Sequence, residues 1–144
     1  MNALKAAMAA LVLLAGAGDV HAQQQGQVDV AGQWRCQWAG RAHNNDPTQS
    51  HLWEFNLGLD RNRQFQAQGA YYSPSIGYVE NFNGRGNWQL QNSPQGLVIA
   101  LNGTWTRSLI GPQQYPVYMY VRDSRTMLYN NVGQYTREHY LCQR

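Results

Sequence analysis

Gly32-Gln33-Trp34-Arg35-Cys36-Gln37-Trp38 reads as a β-strand with two unlike faces. Alternate side chains of an extended strand share a face, so Trp34, Cys36 and Trp38 point one way and Gln33, Arg35 and Gln37 the other. The only other cysteine, Cys142, lies close to the last residue, Arg144. A Cys36–Cys142 bridge would tie the first strand to the last, as the seam of a closed sheet requires.

The residues ahead of this strand say whether such a bridge can form. Lys5 is followed by an almost wholly apolar run from Ala6 to Ala17, and Val20-His21-Ala22 offers small residues at a cleavage site. That is the layout of a secretory signal peptide, and the apolar run is too short to span a bilayer. Residues 1–22 are therefore expected to be a signal peptide cut after Ala22. Residues 23–30 would follow as a flexible polar leader, and residues 31–144 as one domain. The expected location is the periplasm or the secreted space, with no membrane span left after cleavage. In an oxidising compartment an even pair of cysteines reads as a disulfide, ahead of two free thiols or a thiolate nucleophile.

Charge narrows the function further. Lys5 is the only lysine, so cleavage leaves arginine as the sole permanent cation, which excludes a lysine Schiff base or lysine nucleophile. The arginines are scattered along a chain of net charge +3, the pattern of a solvated surface and not of a nucleic-acid track.

Downstream, His51-Leu-Trp-Glu-Phe-Asn-Leu-Gly-Leu59 alternates at period two, Asp60 to Arg63 is a turn, and Gln64 to Tyr72 alternates again. Folding this hairpin about residue 62 sets Leu59 opposite Phe65, Leu57 opposite Ala67 and Trp53 opposite Tyr71, so apolar residues meet on one face throughout. Tyr78, Glu80, Phe82, Gly84, Gly86, Trp88 and Leu90 are in phase on the next strand, and Leu97, Ile99, Leu101, Gly103 and Trp105 on the one after. A loop over Asn92–Gly96 would pair Leu90 with Leu97 and Trp88 with Ile99. Beyond a loop at residues 108–114, Tyr115, Val117, Met119 and Val121 alternate, then Met127 and Tyr129. In the closing strand Thr136, Glu138, Tyr140 and Cys142 share a face. Eight strands joined by short connections imply an antiparallel meander. An all-β, eight-stranded up-and-down barrel, its ends joined by a Cys36–Cys142 disulfide, is the simplest closure, because closure leaves no sheet edge exposed. A two-sheet sandwich is the alternative.

Gly-x-Trp recurs at Gly32–Trp34, Gly86–Trp88 and Gly103–Trp105, where glycine would relieve crowding beside a large ring. A Gly-x-Trp opening the first strand of a small exported eight-strand meander resembles the calycin group, that is lipocalins, avidins and small bacterial relatives. The resemblance implies a barrel whose closed end is crossed by Trp34. The chain is shorter than a typical lipocalin and shows no C-terminal helix pattern, and the resemblance implies no particular ligand.

Inward-facing polar groups carry what chemistry there is, since a buried carboxylate is costly unless paired or used. Glu80 falls in phase with Phe82, and Glu138 with Tyr140 and Cys142. They would receive the polar end of a ligand, serve as a general base, or lie at a solvated rim. No histidine stands at metal-ligand spacing from another histidine or cysteine, and no phosphate-cradling glycine loop is present, so neither metal nor cofactor is expected. His51 heads an apolar row and is expected at a barrel mouth. Tyr72, Tyr118 and Tyr120 fall out of phase and could form an outward patch.

Three functional readings follow. In the first, a non-enzymatic binding protein holds a small apolar or amphipathic molecule in a barrel lined by Trp53, Phe55, Phe82, Trp88, Ile99, Leu101, Met119 and Tyr129, with Glu80 and Glu138 as its polar groups. In the second, the barrel is filled, and residues 40–50 and 106–115 act as contact loops for an envelope protein. In the third, Glu80 or Glu138 is a general base in an enzyme.

Overall fold

The structure, a computed structural model, describes residues 28–42, 50–73, 77–132 and 136–144. It contains β1 (Gly32–Ala42), β2 (His51–Leu59), β3 (Gln64–Ser73), β4 (Tyr78–Ser93), β5 (Gly96–Arg107), β6 (Gly111–Asp123), β7 (Thr126–Val132) and β8 (Thr136–Gln143). Each strand pairs with the next, and β1 pairs with β8, so the meander closes into an antiparallel barrel. Cys36 and Cys142 face each other directly in the β1–β8 ladder and are joined by a disulfide across a sequence separation of 106.

The β2–β3 hairpin has the register its pattern demands, with Leu59 opposite Phe65, Leu57 opposite Ala67 and Trp53 opposite Tyr71. Its turn is held by Asp60, whose N–H donates to the Gln64 carbonyl at 2.9 Å and whose carboxylate accepts from the Gln64 N–H at 2.7 Å. The β4–β5 register differs from the expected one. Leu90 lies opposite Ile99 and Trp88 opposite Leu101, because both strands continue to a tight turn with Ser93 opposite Gly96. Gly96 has φ +127°, a backbone setting that favours glycine, and the Ser93 hydroxyl donates to the Gly96 carbonyl at 2.8 Å. A slip of two residues leaves every side chain on its expected face.

Three hairpin turns and the segment before β1 gather at one end of the barrel, which is shut. Val30 is buried there and its carbonyl accepts the indole N–H of Trp34 at 2.9 Å. Arg144 lies over the Trp34 ring at 4.6 Å and donates to the carbonyls of Ala31 and Asp29 at 2.6 Å each. A side chain at Gly32 would stand 2.9 Å from that guanidinium, and its φ of +135° favours glycine independently. Val28 to Val30, which the sequence places in the polar leader, thus include part of the plug; residues 23–27 lie outside the described residues, as do residues 1–22, the expected signal peptide.

Above the plug the barrel is filled. Leu57, Leu59, Phe65, Ile99, Leu101, Met119 and Met127 are buried in one cluster with the disulfide. Trp105 is the hub of the next layer, with ring contacts to Trp38, Phe55, Phe65 and Phe82 between 5.3 and 6.4 Å. Gly84 makes room for it, since a Cβ there would come within 2.5 Å of the indole.

Candidate functional site at the open mouth

The remaining space lies at the opposite end, and strand pairing explains why. The β5–β6 ladder is continuous from Val98–Tyr120 to Arg107–Gly111. The β6–β7 ladder pairs only Tyr120 with Leu128, Val121 with Met127 and Asp123 with Thr126. Towards the mouth these two strands part. Pro112 and Pro116, which have no N–H to give a ladder, lie on the parting stretch of β6. The gap opens into a cup of about 370 Å³ lined by the rings of Trp38, Trp53, Tyr115, Tyr129 and Tyr140, together with His51 and Glu138. Cross-strand pairing sets the wall: Trp38 stands opposite both Trp53 and Tyr140, and Gly40 opposite both His51 and Glu138. Glycine at position 40 lets the His51 ring lie close over β1, since a Cβ would sit 2.2 Å from that ring and displace it.

Beside the cup is a desolvated ion pair. The Glu80 side chain is 1% exposed and that of Arg107 19%. Arg107 donates to one Glu80 oxygen through Nε at 2.9 Å and through Nη2 at 2.6 Å. The other oxygen accepts the Leu109 N–H at 2.8 Å. The guanidinium also lies 4.0 Å from the centre of the Tyr71 ring and 5.4 Å from that of Trp53. Glu80 therefore serves to fix Arg107 and the β5–β6 turn, and both of its oxygens are occupied in doing so.

The titratable groups of the cup are perturbed. Burial pushes the Tyr140 hydroxyl well above its usual range, and the charge of Glu138 and a hydrogen bond to it act in the same direction, so Tyr140 stays a donor to that carboxylate. Burial also raises Tyr115, with Arg107 opposing. His51 is lowered from 6.5 by burial, against the pull of Glu138 and with some help from Arg107. The unfolded chain thus binds a proton at His51 before the folded one does. His51's contribution is complete above pH 6.5 and is lost as pH falls from there through the lower folded value. Urea midpoints at neutral and mildly acidic pH should therefore converge in His51→Gln relative to the parent, and equal pH slopes in the two proteins would contradict this.

The ten residues singled out as cavity candidates separate in space. Trp53, Tyr129 and Glu138 line the cup. Phe55, Phe82, Ile99, Leu101 and Met119 are core filling. Glu80 is in the ion pair. Trp88 is at the shut end, where its N–H donates to the Asp60 carbonyl at 3.0 Å and its ring lies under Arg63. Trp34, Cys36 and Cys142 hold the plug and the seam. Of the expected contact loops, 106–115 contracts to a turn at residues 108–110, because β5 runs to Arg107 and β6 begins at Gly111. Within 40–50, Gly40 to Ala42 belong to β1, and residues 43–49 lie outside the described residues. Tyr72 and Tyr118 are exposed on strands β3 and β6, which are not neighbours in the sheet, so they do not make one patch.

Trp38, Tyr115, Tyr140 and Arg107 are the site residues that sequence reasoning missed. A larger hollow of about 500 Å³ lies among Arg35, Gln37, Glu54, Asn56, Gln68 and Gln143. Those are outward-facing polar side chains, with Gln37 donating to Glu54 at 3.1 Å, and the hollow is a groove on the outer wall. Among the described residues no group of three or more His, Cys, Asp or Glu could hold a metal ion. No family model matches this chain, and no curated protein matches it.

Proposed function

We propose that the chain is an exported, non-enzymatic, calycin-like binding protein that takes a small amphipathic molecule into its open mouth. The supporting observation is the cup itself, a concave, ring-lined space above a filled barrel with a few polar groups converging on it. The ligand would enter between β6 and β7 and rest on Trp38 and Trp53. Filling of the deeper barrel restricts it to the size of the cup, so a long acyl chain is disfavoured.

The test is titration with the neutral dye N-phenylnaphthylamine, read by dye and tryptophan fluorescence. Trp53→Ala and Tyr129→Ala should each weaken binding by about tenfold, the scale of one lost aromatic contact. Binding that ignores both substitutions would remove the cup from the account.

A second reading, interaction with an envelope protein, is favoured by the rim. Leu109 is 74% exposed, Val79 62% and Ile110 53%. Native mass spectrometry of protein taken from the cells that make it separates the two: a bound small mass supports the first, and a co-purifying protein released by Leu109→Ser supports the second.

A further inference from the structure

We propose that the cup is selective for an organic ammonium ion bearing an oxygen acceptor near its charged nitrogen. This rests on the cup being a ligand site and adds the class of ligand. The first observation is the wall. The rings of Trp38 and Tyr140 are 4.9 Å apart and those of Tyr129 and Tyr140 5.2 Å, so the three form one contiguous aromatic cluster in the wall of the cup. Aromatic faces carry negative potential and attract cations, most strongly where water is excluded.

The second observation is the balance of charge. Glu80 is neutralised by Arg107, whereas Glu138 makes no salt bridge among the described residues. The Tyr140 hydroxyl lies close to Glu138, whose charge helps to keep it protonated. His51 is a poor source of positive charge here, because burial disfavours its protonated form. Arg107 is close enough to act on His51 and Tyr115, but its guanidinium is bound to Glu80 and packed over Tyr71 and Trp53. An anion in the cup would meet Glu138 directly, and a neutral guest would bring that carboxylate no countercharge, which the described residues do not supply either. An ammonium ion answers both the carboxylate and the rings.

The third observation is a donor. Trp38 lines the cup and is 5% exposed, and its indole N–H has no acceptor among the described residues. A buried donor of this kind calls for an oxygen. A ligand whose nitrogen sits against Glu138 and the rings, and whose oxygen takes the indole N–H, satisfies both the carboxylate and the donor.

Choline, neohexyl alcohol and the tert-butylacetate anion share one outline and differ in charge, so they separate shape from electrostatics. Each is titrated against the disulfide-bonded protein, following tryptophan fluorescence and the Trp38 indole N–H resonance, assigned by its loss in Trp38→Phe. Choline is expected to bind at least about tenfold more tightly than the alcohol. Glu138→Gln should abolish that preference, and an unchanged pattern of tryptophan indole resonances in the ligand-free variant reports that it is folded. The indole resonance should move with choline and with the alcohol. If the alcohol or the anion binds as tightly as choline, the ammonium assignment is overturned and the cup remains a ligand site. Binding of N-phenylnaphthylamine but of none of the three also overturns it. Failure of all four compounds removes the site as well.

Discussion

Replacing Cys36 and Cys142 together by alanine is expected to lower stability by about 3–5 kcal/mol. The bridge closes a loop spanning a sequence separation of 106, long enough for the chain-entropy model to assign it roughly 4.7 kcal/mol. Both sulfurs are also buried in the core, with the Cys142 sulfur 3.6 Å from that of Met119, so their removal leaves a small void in addition. Typical domains are stable by only about 5–15 kcal/mol, so the loss is a large fraction of the whole. Urea unfolding of the oxidised parent and the double variant measures it as a shift in midpoint. A loss below about 1 kcal/mol would mean that the β1–β8 ladder holds the seam without the sulfur bridge.

Arg107→Met is expected to be the most damaging change at the mouth, at about 3 kcal/mol. It removes the guanidinium from a carboxylate that is 1% exposed, while the Leu109 N–H remains bonded to it. The residual exposure of Arg107, 19%, places the effect at the low end of the range for a broken buried pair, because water can partly replace the guanidinium. Converting both residues, Glu80→Met with Arg107→Met, should recover much of the loss, since two apolar side chains carry no stranded charge. Thermal or urea unfolding of the two single variants and the double variant closes the cycle. If the double variant is no more stable than Arg107→Met alone, the damage comes from lost packing on Tyr71 and Trp53 and not from the orphaned charge.

The fold was legible because independent signals agreed. In the β2–β3 hairpin the turn at Asp60–Arg63 and the alternation on either side demand one register, and the two cysteines name the strands that close the ring. Once Cys36 is set opposite Cys142, counting along both strands puts Trp38 opposite Tyr140 and Gly40 opposite Glu138, so much of the cup's wall was implicit in the disulfide. Arg107 was hidden because it falls in the expected contact loop 106–115, where Gly111 and Pro112 read as loop residues, although Arg107 keeps the phase of Trp105 and stands opposite Phe82. The β4–β5 slip went unseen because a shift of two residues leaves the pattern of faces unchanged. Nor does alternation report where two strands part. It assigns a face to each residue, whereas the opening between β6 and β7 depends on lateral partners. Whether the barrel is hollow depends on how Trp105, Phe55 and Phe82 pack as rings, which no period along the chain encodes.

The seam between β1 and β8 also sets the order of assembly. Hairpins from β2 to β7 can zip up from neighbours in sequence, but the last ladder must wait until residues more than a hundred positions apart find each other. Through that interval the first strand offers a bare row of amides and carbonyls to any chain nearby, the situation that leads to intermolecular pairing. Arg144 can clamp Ala31 and Asp29 only after the ring is complete, so the base of the barrel is the last part to gain its final contacts.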